Sequence, residues 1–173
     1  MDMAKIPNVT NQIPVPAGVS VKLEGLHLTA KGKAGSIDRT YKMNDVSAKV
    51  SGSNIDVTGQ LCEANTLSAH IRNALNGAEK GYSQKLKVVY AHFPIALEVK
   101  GGQVVIKNFL GEKQPRHANV IGATKVEIKG QDVFVTGPDR DDVGQTIANM
   151  RIGTKIRNRD SRVFQDGIYP VES

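Results

Sequence analysis

The 173-residue sequence predicts an α+β protein: two tandem copies of a small domain, each an antiparallel sheet packed by one helix, plus an extended basic C-terminal tail. Three observations predict it. Residues 50–59 align without a gap on residues 128–137, where Gly52/Gly130, Val57/Val135, Thr58/Thr136 and Gly59/Gly137 coincide. Both copies then enter a helical pattern. Residues 65–77 lie over 141–153, with Ile71/Ile147, Asn73/Asn149 and Gly77/Gly153 identical. Before each helix the apolar residues alternate with polar ones, the period of a strand with one buried face. A repeat of roughly 77 residues is too long for a solenoid unit and is the size of a small domain.

The elements follow in order. Ile13-Pro14-Val15-Pro16-Ala17-Gly18 is a loop, and Val19, Val21 and Leu23 alternate as a strand. Gly25 breaks the pattern, and Leu26, Leu28 and Ala30 resume it. Residues 31–35 form a glycine-rich basic turn. Val46, Ala48 and Val50 make a third strand, Gly52-Ser53-Asn54 a turn, and Ile55 and Val57 a fourth strand, in outline a four-stranded meander. Leu67, Ile71, Ala74, Leu75 and Ala78 form one helical stripe, with Asn65 or Thr66 able to cap its start and Gly77 or Gly81 its end. A one-faced helix on a one-faced sheet gives two layers.

Leu86, Val88 and Tyr90 mark a long strand that joins the halves. The second copy runs through residues 95–99, a Gly101-Gly102 turn, residues 104–106, a loop over 108–119, residues 120–129 and residues 133–135. Pro138 stops the sheet, and Val143, Ile147 and Met150 give the second helix stripe. No periodicity follows Gly153. The expected organisation is a first repeat over 1–81, a second over 82–153 and an extended tail over 154–173 that adds little to a core.

Hydrophobic content is 39%, and no apolar run approaches the roughly 18 residues of a membrane helix. The N-terminal residues lack the apolar centre of a secretion signal. A single cysteine, Cys62, forms no intramolecular disulfide, which fits a reducing compartment. Net charge is +6 and is uneven. Residues 151–162 alone carry Arg151, Lys155, Arg157, Arg159 and Arg162 against Asp160.

Catalytic chemistry has little to rest on. Asp139, Asp141 and Asp142 are the one carboxylate cluster, and a metal-assisted hydrolase is the alternative they raise. The simpler reading is a helix N-terminus, where negative charge meets the helix dipole. His27, His70, His92 and His117 have no metal-ligand spacing. No phosphate loop, dinucleotide fingerprint or nucleophile elbow occurs. We therefore expect no catalytic residue, no metal and no cofactor.

Two basic segments remain, the loop over 107–117 and the tail over 151–169. The tail mixes Arg with Asn, Gly, Phe164 and Tyr169. Arginine suits bidentate phosphate contact, aromatic rings stack on unpaired bases, and glycines such as Gly144 and Gly153 let a phosphate backbone approach. The pattern suits a protein seated on folded RNA.

Lys87-Val88-Val89-Tyr90-Ala91-His92-Phe93-Pro94-Ile95, Asn108-Phe109-Leu110-Gly111-Glu112-Lys113, and Val135-Thr136-Gly137 followed by Val143-Gly144-Gln145 closely resemble the family of ribosomal protein L-six of the large subunit. The tail Arg157-Asn158-Arg159-Asp160-Ser161-Arg162-Val163-Phe164-Gln165-Asp166-Gly167-Ile168-Tyr169 resembles its archaeal and eukaryotic branch. The long eukaryotic extensions are missing, which points to an archaeal source. The resemblance spans essentially the whole chain. It implies two copies of one α+β domain and a cytoplasmic, ribosomal, non-enzymatic role. It implies binding to large-subunit ribosomal RNA near the sarcin–ricin loop and the landing site of translational GTPases, mainly through the second domain and tail. Neighbouring large-subunit proteins are the other implied partners, and no membrane is. Carried onto this chain, the RNA-contacting residues are Lys113 and Arg116 in the loop and Gly144 and Gln145 at the helix start. Arg151, Lys155, Arg157, Arg159 and Arg162 follow in the tail.

Overall fold

The computed structural model describes residues 7–160 and 162–171. The chain divides into two compact units, Met1–Gly81 and Tyr82–Ser173. Among the described residues no helix is long and apolar enough to cross a membrane.

The first unit contains β1 (Asn8–Pro14), β2 (Ser20–Glu24), β3 (His27–Lys31), β4 (Ser36–Thr40), β5 (Val46–Ser51), β6 (Asn54–Gln60) and α1 (Leu61–Lys80). They form two antiparallel three-stranded sheets, ordered β1-β6-β5 and β2-β3-β4. This corrects the expected four-stranded meander. The free edge of β3 takes β4 and that of β6 takes β1, so the two predicted hairpins fall in different sheets. β1 and β4 escape a pattern search because Ile13 and Ile37 are their only buried residues. α1 packs on β1, β6 and β3, and its Leu67, Ile71 and Leu75 meet Ile13, Leu28, Ile55 and Val57 in one core. It begins directly after β6 at Leu61, with Gln60 as N-cap and no side-chain cap bond. Asn65 and Thr66 therefore lie inside the helix, where the Thr66 hydroxyl donates to the Cys62 carbonyl at 2.8 Å. Gly81, at φ 74°, ends the helix and donates to the Gly77 carbonyl.

The second unit repeats this order. It has β7 (Tyr82–Val89), β8 (Ala96–Lys100), β9 (Gln103–Lys107), a 3-10 turn (Phe109–Gly111), β10 (Arg116–Asn119), β11 (Lys125–Lys129), β12 (Asp132–Gly137), α2 (Arg140–Gly153) and β13 (Gly167–Pro170). Its sheets are ordered β10-β9-β8 and β11-β12-β7-β13. β7 thus stands where β1 stands, beside the strand that leads into the helix. The two hairpins share a register: Val50 pairs with Ile55, and Ile128 with Val133. Gly52 and Gly130, at φ 60° and 63°, take the first position of a two-residue turn that demands positive φ. The second aligned pair answers to space. A Cβ on Gly59 would overlap the Asp45 carbonyl, and one on Gly137 would press on Val143.

The expected extended tail is the second correction. β13 pairs antiparallel with β7, Ile168 opposite Val88, and Ile168 is 1% exposed within the core. The signal is faint because one buried apolar residue carries it. Polar bonds do the rest. The Ile168 amide donates to the Thr154 hydroxyl at 3.3 Å, the Ala91 amide to the buried Asp166 carboxylate at 3.2 Å, and Gln84 Nε2 to the Val171 carbonyl at 3.0 Å. Ser161, Glu172 and Ser173 of that expected tail lie outside the described residues.

Candidate nucleic-acid interface

α2 starts at an Asp N-cap. The Asp139 carboxylate accepts the Asp141 amide at 2.9 Å, and the acidic first turn faces the positive end of the helix. The three aspartates are thus placed as helix-terminal residues. Among the described residues no group of three or more His, Cys, Asp or Glu side chains could hold a metal ion. The histidines sit elsewhere: His27 bonds Thr40 and Asp38, His70 tilts on Tyr41, and His92 meets Phe93 edge-on. Cys62 is exposed on α1.

One turn along α2, Gly144 and Gln145 face solvent. A Cβ on Gly144 would meet nothing within 4 Å. Gln145 Nε2 donates to Asn149 Oδ1, and Asn149 Nδ2 to the Asn119 carbonyl, so an amide ladder fixes this face to the end of β10. Arg151 and Lys155 are exposed at the far end of the helix.

The basic segment comes to that same end through Arg116, which opens β10 rather than lying in the expected loop over 108–119, because it pairs with Ile106 of β9. Its Nη1 donates to the Gly153 and Lys155 carbonyls at 3.0 and 3.2 Å. Its Nε and Nη2 form a fork on Glu112 at 2.8 and 2.5 Å. Its plane lies 4.4 Å from the Phe109 ring centre. Arg116 therefore spends its donors inside the protein, closing the orphan Gly153 carbonyl at the helix C-terminus and holding the Lys155 carbonyl just past it. The hydrogen bond from Arg116 holds the Glu112 carboxyl below its ordinary 4.5, with a further pull from the charges of Arg116 and Arg159. Lys113 is exposed beside it.

In the tail, Arg157 is exposed, and the Arg159 guanidinium lies over Phe164 at 4.9 Å. Arg162 pairs with Asp160 at 3.1 Å while its own side chain stays 89% exposed. Side-chain and backbone hydrogen bonds from Arg162 lower the Asp160 pKa. A cavity of about 490 Å³ opens between the end of α2 and the returning tail, lined by Arg151, Ile152, Lys155, Phe164, Ile168 and Tyr169. The loop, the helix end and the tail, separate in sequence, thus meet on one side of the second unit. Thr154 and Gln84, which help fix the tail, carry no motif and are found only through their partners; Asp166 lies in the quoted tail run, but its bond to Ala91 is not legible there.

Known proteins share this arrangement of sequence. Residues 93–167 match the family described as Ribosomal protein L6. A relative named Large ribosomal subunit protein uL6, from Methanocella arvoryzae, is 44% identical over 91% of this chain and 93% of its own. Those of Methanosphaera stadtmanae and Staphylothermus marinus, with the same name, are 42% and 41% identical over 98% and 96% of this chain. They are covered over 96% of their own lengths in each case.

Proposed function

The chain belongs to the ribosomal protein L6 family, a family of structural, non-enzymatic proteins, and on that premise we propose that it binds large-subunit ribosomal RNA through its second unit and C-terminal segment. The relatives' shared name supports a place in the large ribosomal subunit, hence in the cytoplasm and beside other ribosomal proteins. The family resemblance extends the reading to the sarcin–ricin loop and the landing site of translational GTPases.

The observation that carries the proposal is the meeting of two basic segments at one helix end. Arg116 draws the loop to the Gly153 and Lys155 carbonyls, and Arg151, Lys155 and Arg157 stand exposed around that junction. In this reading Arg116 is a positioning residue. Lys113, Arg151, Lys155, Arg157, Arg159 and Arg162 meet phosphates, Arg162 exchanging Asp160 for one. Gly144 and Gln145 offer the helix backbone and an amide to the same strand.

Phosphate contacts release counterions, so affinity for deproteinised large-subunit ribosomal RNA falls steeply with salt. Changing Arg151, Lys155 and Arg157 together to Ala in the full chain should flatten the log–log salt slope by about two to three units. Filter binding across a salt series measures it. An unchanged slope with intact folding makes the basic junction ordinary solvated surface and overturns the proposal.

A further inference from the structure

Helix α2 covers one face of the β11-β12-β7-β13 sheet, where Val133, Val135, Leu86, Val88 and Ile168 are buried. The other face is set by the same period of two. Cross-strand partners share a face, so the pairings give its rows directly. Glu127, Phe134 and Lys85 form one row. Lys129, Asp132, Lys87 and Tyr169 form the next, and Lys125, Thr136 and Ser83 a third. Phe134 sits near the middle, partly buried, with the Lys129 and Lys85 ammonium groups 5.2 and 5.7 Å from its ring centre. Tyr169 is 43% exposed, but its ring lies against Gly167 and its hydroxyl donates to the Gln165 carbonyl at 3.3 Å, so it belongs to the tail. Lys87 and Lys125 are exposed.

The first unit supplies the control, because its hairpin has the same register and β1 stands in place of β7. Its nine matching positions are Ser47, Lys49 and Ser51 on β5, Asn54, Asp56 and Thr58 on β6, and Thr10, Gln12 and Pro14 on β1. They hold no aromatic ring and one charge of each sign. The matching nine in the second unit hold four lysines, two carboxylates and Phe134, which takes the place of Asp56. In the first unit the face is joined by small polar groups, as where Thr10 and Thr58 hydroxyls meet at 3.1 Å. The fold alone therefore does not require a ring or a lysine cluster on this face.

We propose that the outer face of the β11-β12-β7-β13 sheet is a second RNA-contact surface, on which Phe134 receives an unpaired base while Lys85, Lys87, Lys125 and Lys129 meet the neighbouring phosphates. The proposal rests on the RNA-binding reading given above and adds a surface on a different part of the same unit. A flat sheet presenting a ring among cations suits single-stranded or loop RNA, since every base has a face to stack and successive phosphates need a positive track. The Lys85 and Lys129 ammonium groups lie over the Phe134 ring, so a stacking base displaces one of them toward its own phosphate. Lys85 also pairs with Asp132 at 2.7 Å, which keeps its ammonium near the sheet centre.

The test uses the full chain with two probes, deproteinised large-subunit ribosomal RNA and a short oligouridylate of about ten nucleotides. Phe134→Leu keeps an apolar side chain and removes the ring. It should weaken binding to both probes about tenfold, the scale of one base–aromatic stack, and leave the salt slope unchanged. Phe134→Tyr should retain wild-type affinity. Lys87→Ala with Lys125→Ala should flatten the slope by roughly one and a half units. Thermal unfolding checks that each variant folds, and the lysine pair tests the face even if Phe134→Leu does not. If Phe134→Leu and the lysine pair bind like wild type while the Arg151/Lys155/Arg157 variant is weakened, the sheet face is no RNA surface and the tail reading stands. If none of the variants responds, both readings fall.

Discussion

In the first unit the helix after the hairpin is 20 residues long and buries eight of them, from Ala64 to Ala78. In the second it is 14 residues long and buries three, Val143, Thr146 and Met150. The strand that precedes each repeat differs as well. β1 ends its sheet, whereas β7 carries β13 on the corresponding edge. The helix ends are closed by different means. In the first unit the Ala34 amide donates to the Ala78 carbonyl, with Gly32 pressed against that same residue. In the second, Arg116 reaches the Gly153 carbonyl from β10. The first copy spends its helix on a core. The second keeps the frame with fewer helix residues, leaves Gly144, Gln145 and Arg151 facing outward, and replaces the lost helix burial with a strand from its own C-terminus.

The core role of β13 gives the largest expected effect. Ile168→Ala removes a fully buried side chain from the second core and should cost about 3 kcal/mol. The loss should be confined to the second unit. Methyl NMR through a urea titration reads each unit by its own resonances. A cost under about 1 kcal/mol would make β13 an appendage after all.

How much of this difference the sequence discloses depends on how many residues carry each signal. The hairpins and helices are legible because three to six apolar side chains repeat at one period, and the paired glycines mark the same turn twice. β1, β4 and β13 each bury too few apolar residues to stand out from a loop. Their place is set by hydrogen bonding to a neighbouring strand, which leaves no period in the chain. The charged site is legible as composition and not as geometry. Arg116 and Arg157 look alike in sequence, yet one is tied into Glu112 and two carbonyls while the other is exposed. Phe134 was open to inference: Val133 and Val135 point inward, so the residue between them points out.

The two helix–loop junctions give the next largest effect. A Cβ on Gly32 would overlap the Ala78 carbonyl, and backbone on both sides leaves little room to yield. Gly32→Ala should destabilise the first unit by about 2 kcal/mol, the usual cost of overpacking. The second unit should keep its urea midpoint. A neutral outcome would mean that the basic turn moves freely away from α1, and that the first junction is no tighter than the second.

Gly144→Ala should act with the opposite sign. The position is helical, exposed and open around the missing Cβ, so alanine fits and restricts the unfolded chain. The second unit should gain about 0.5–1 kcal/mol. No packing need explains a glycine there, whereas in the proposed interface close approach of a phosphate backbone would. Affinity for large-subunit ribosomal RNA should therefore fall while stability rises. A variant that is more stable and binds as before would remove Gly144 from the interface.

The smallest effect is electrostatic. Hydrogen bonds from Lys107 and Lys100 hold Glu98 below its ordinary 4.5; Arg116 does the same for Glu112, and Arg162 holds Asp160 below 3.8. All three carboxylates lie in the second unit. Each is depressed in the folded state, so its contribution is fully present above the unfolded value and is lost as pH falls through the folded one. The window therefore opens near pH 4.5 and extends downward. All three side chains are 40–47% exposed, so solvent screening keeps such pairs weak. Lowering the pH from 6 to 3 should shift the second unit's urea midpoint down by more than the first's, and Glu112→Gln should narrow the gap. Glu112 is the most informative of the three, because its partner also holds the helix end. If the two midpoints fall together and Glu112→Gln changes nothing, the Arg116 fork on Glu112 adds no stability of its own, and the bonds to the Gly153 and Lys155 carbonyls alone carry the closure of α2.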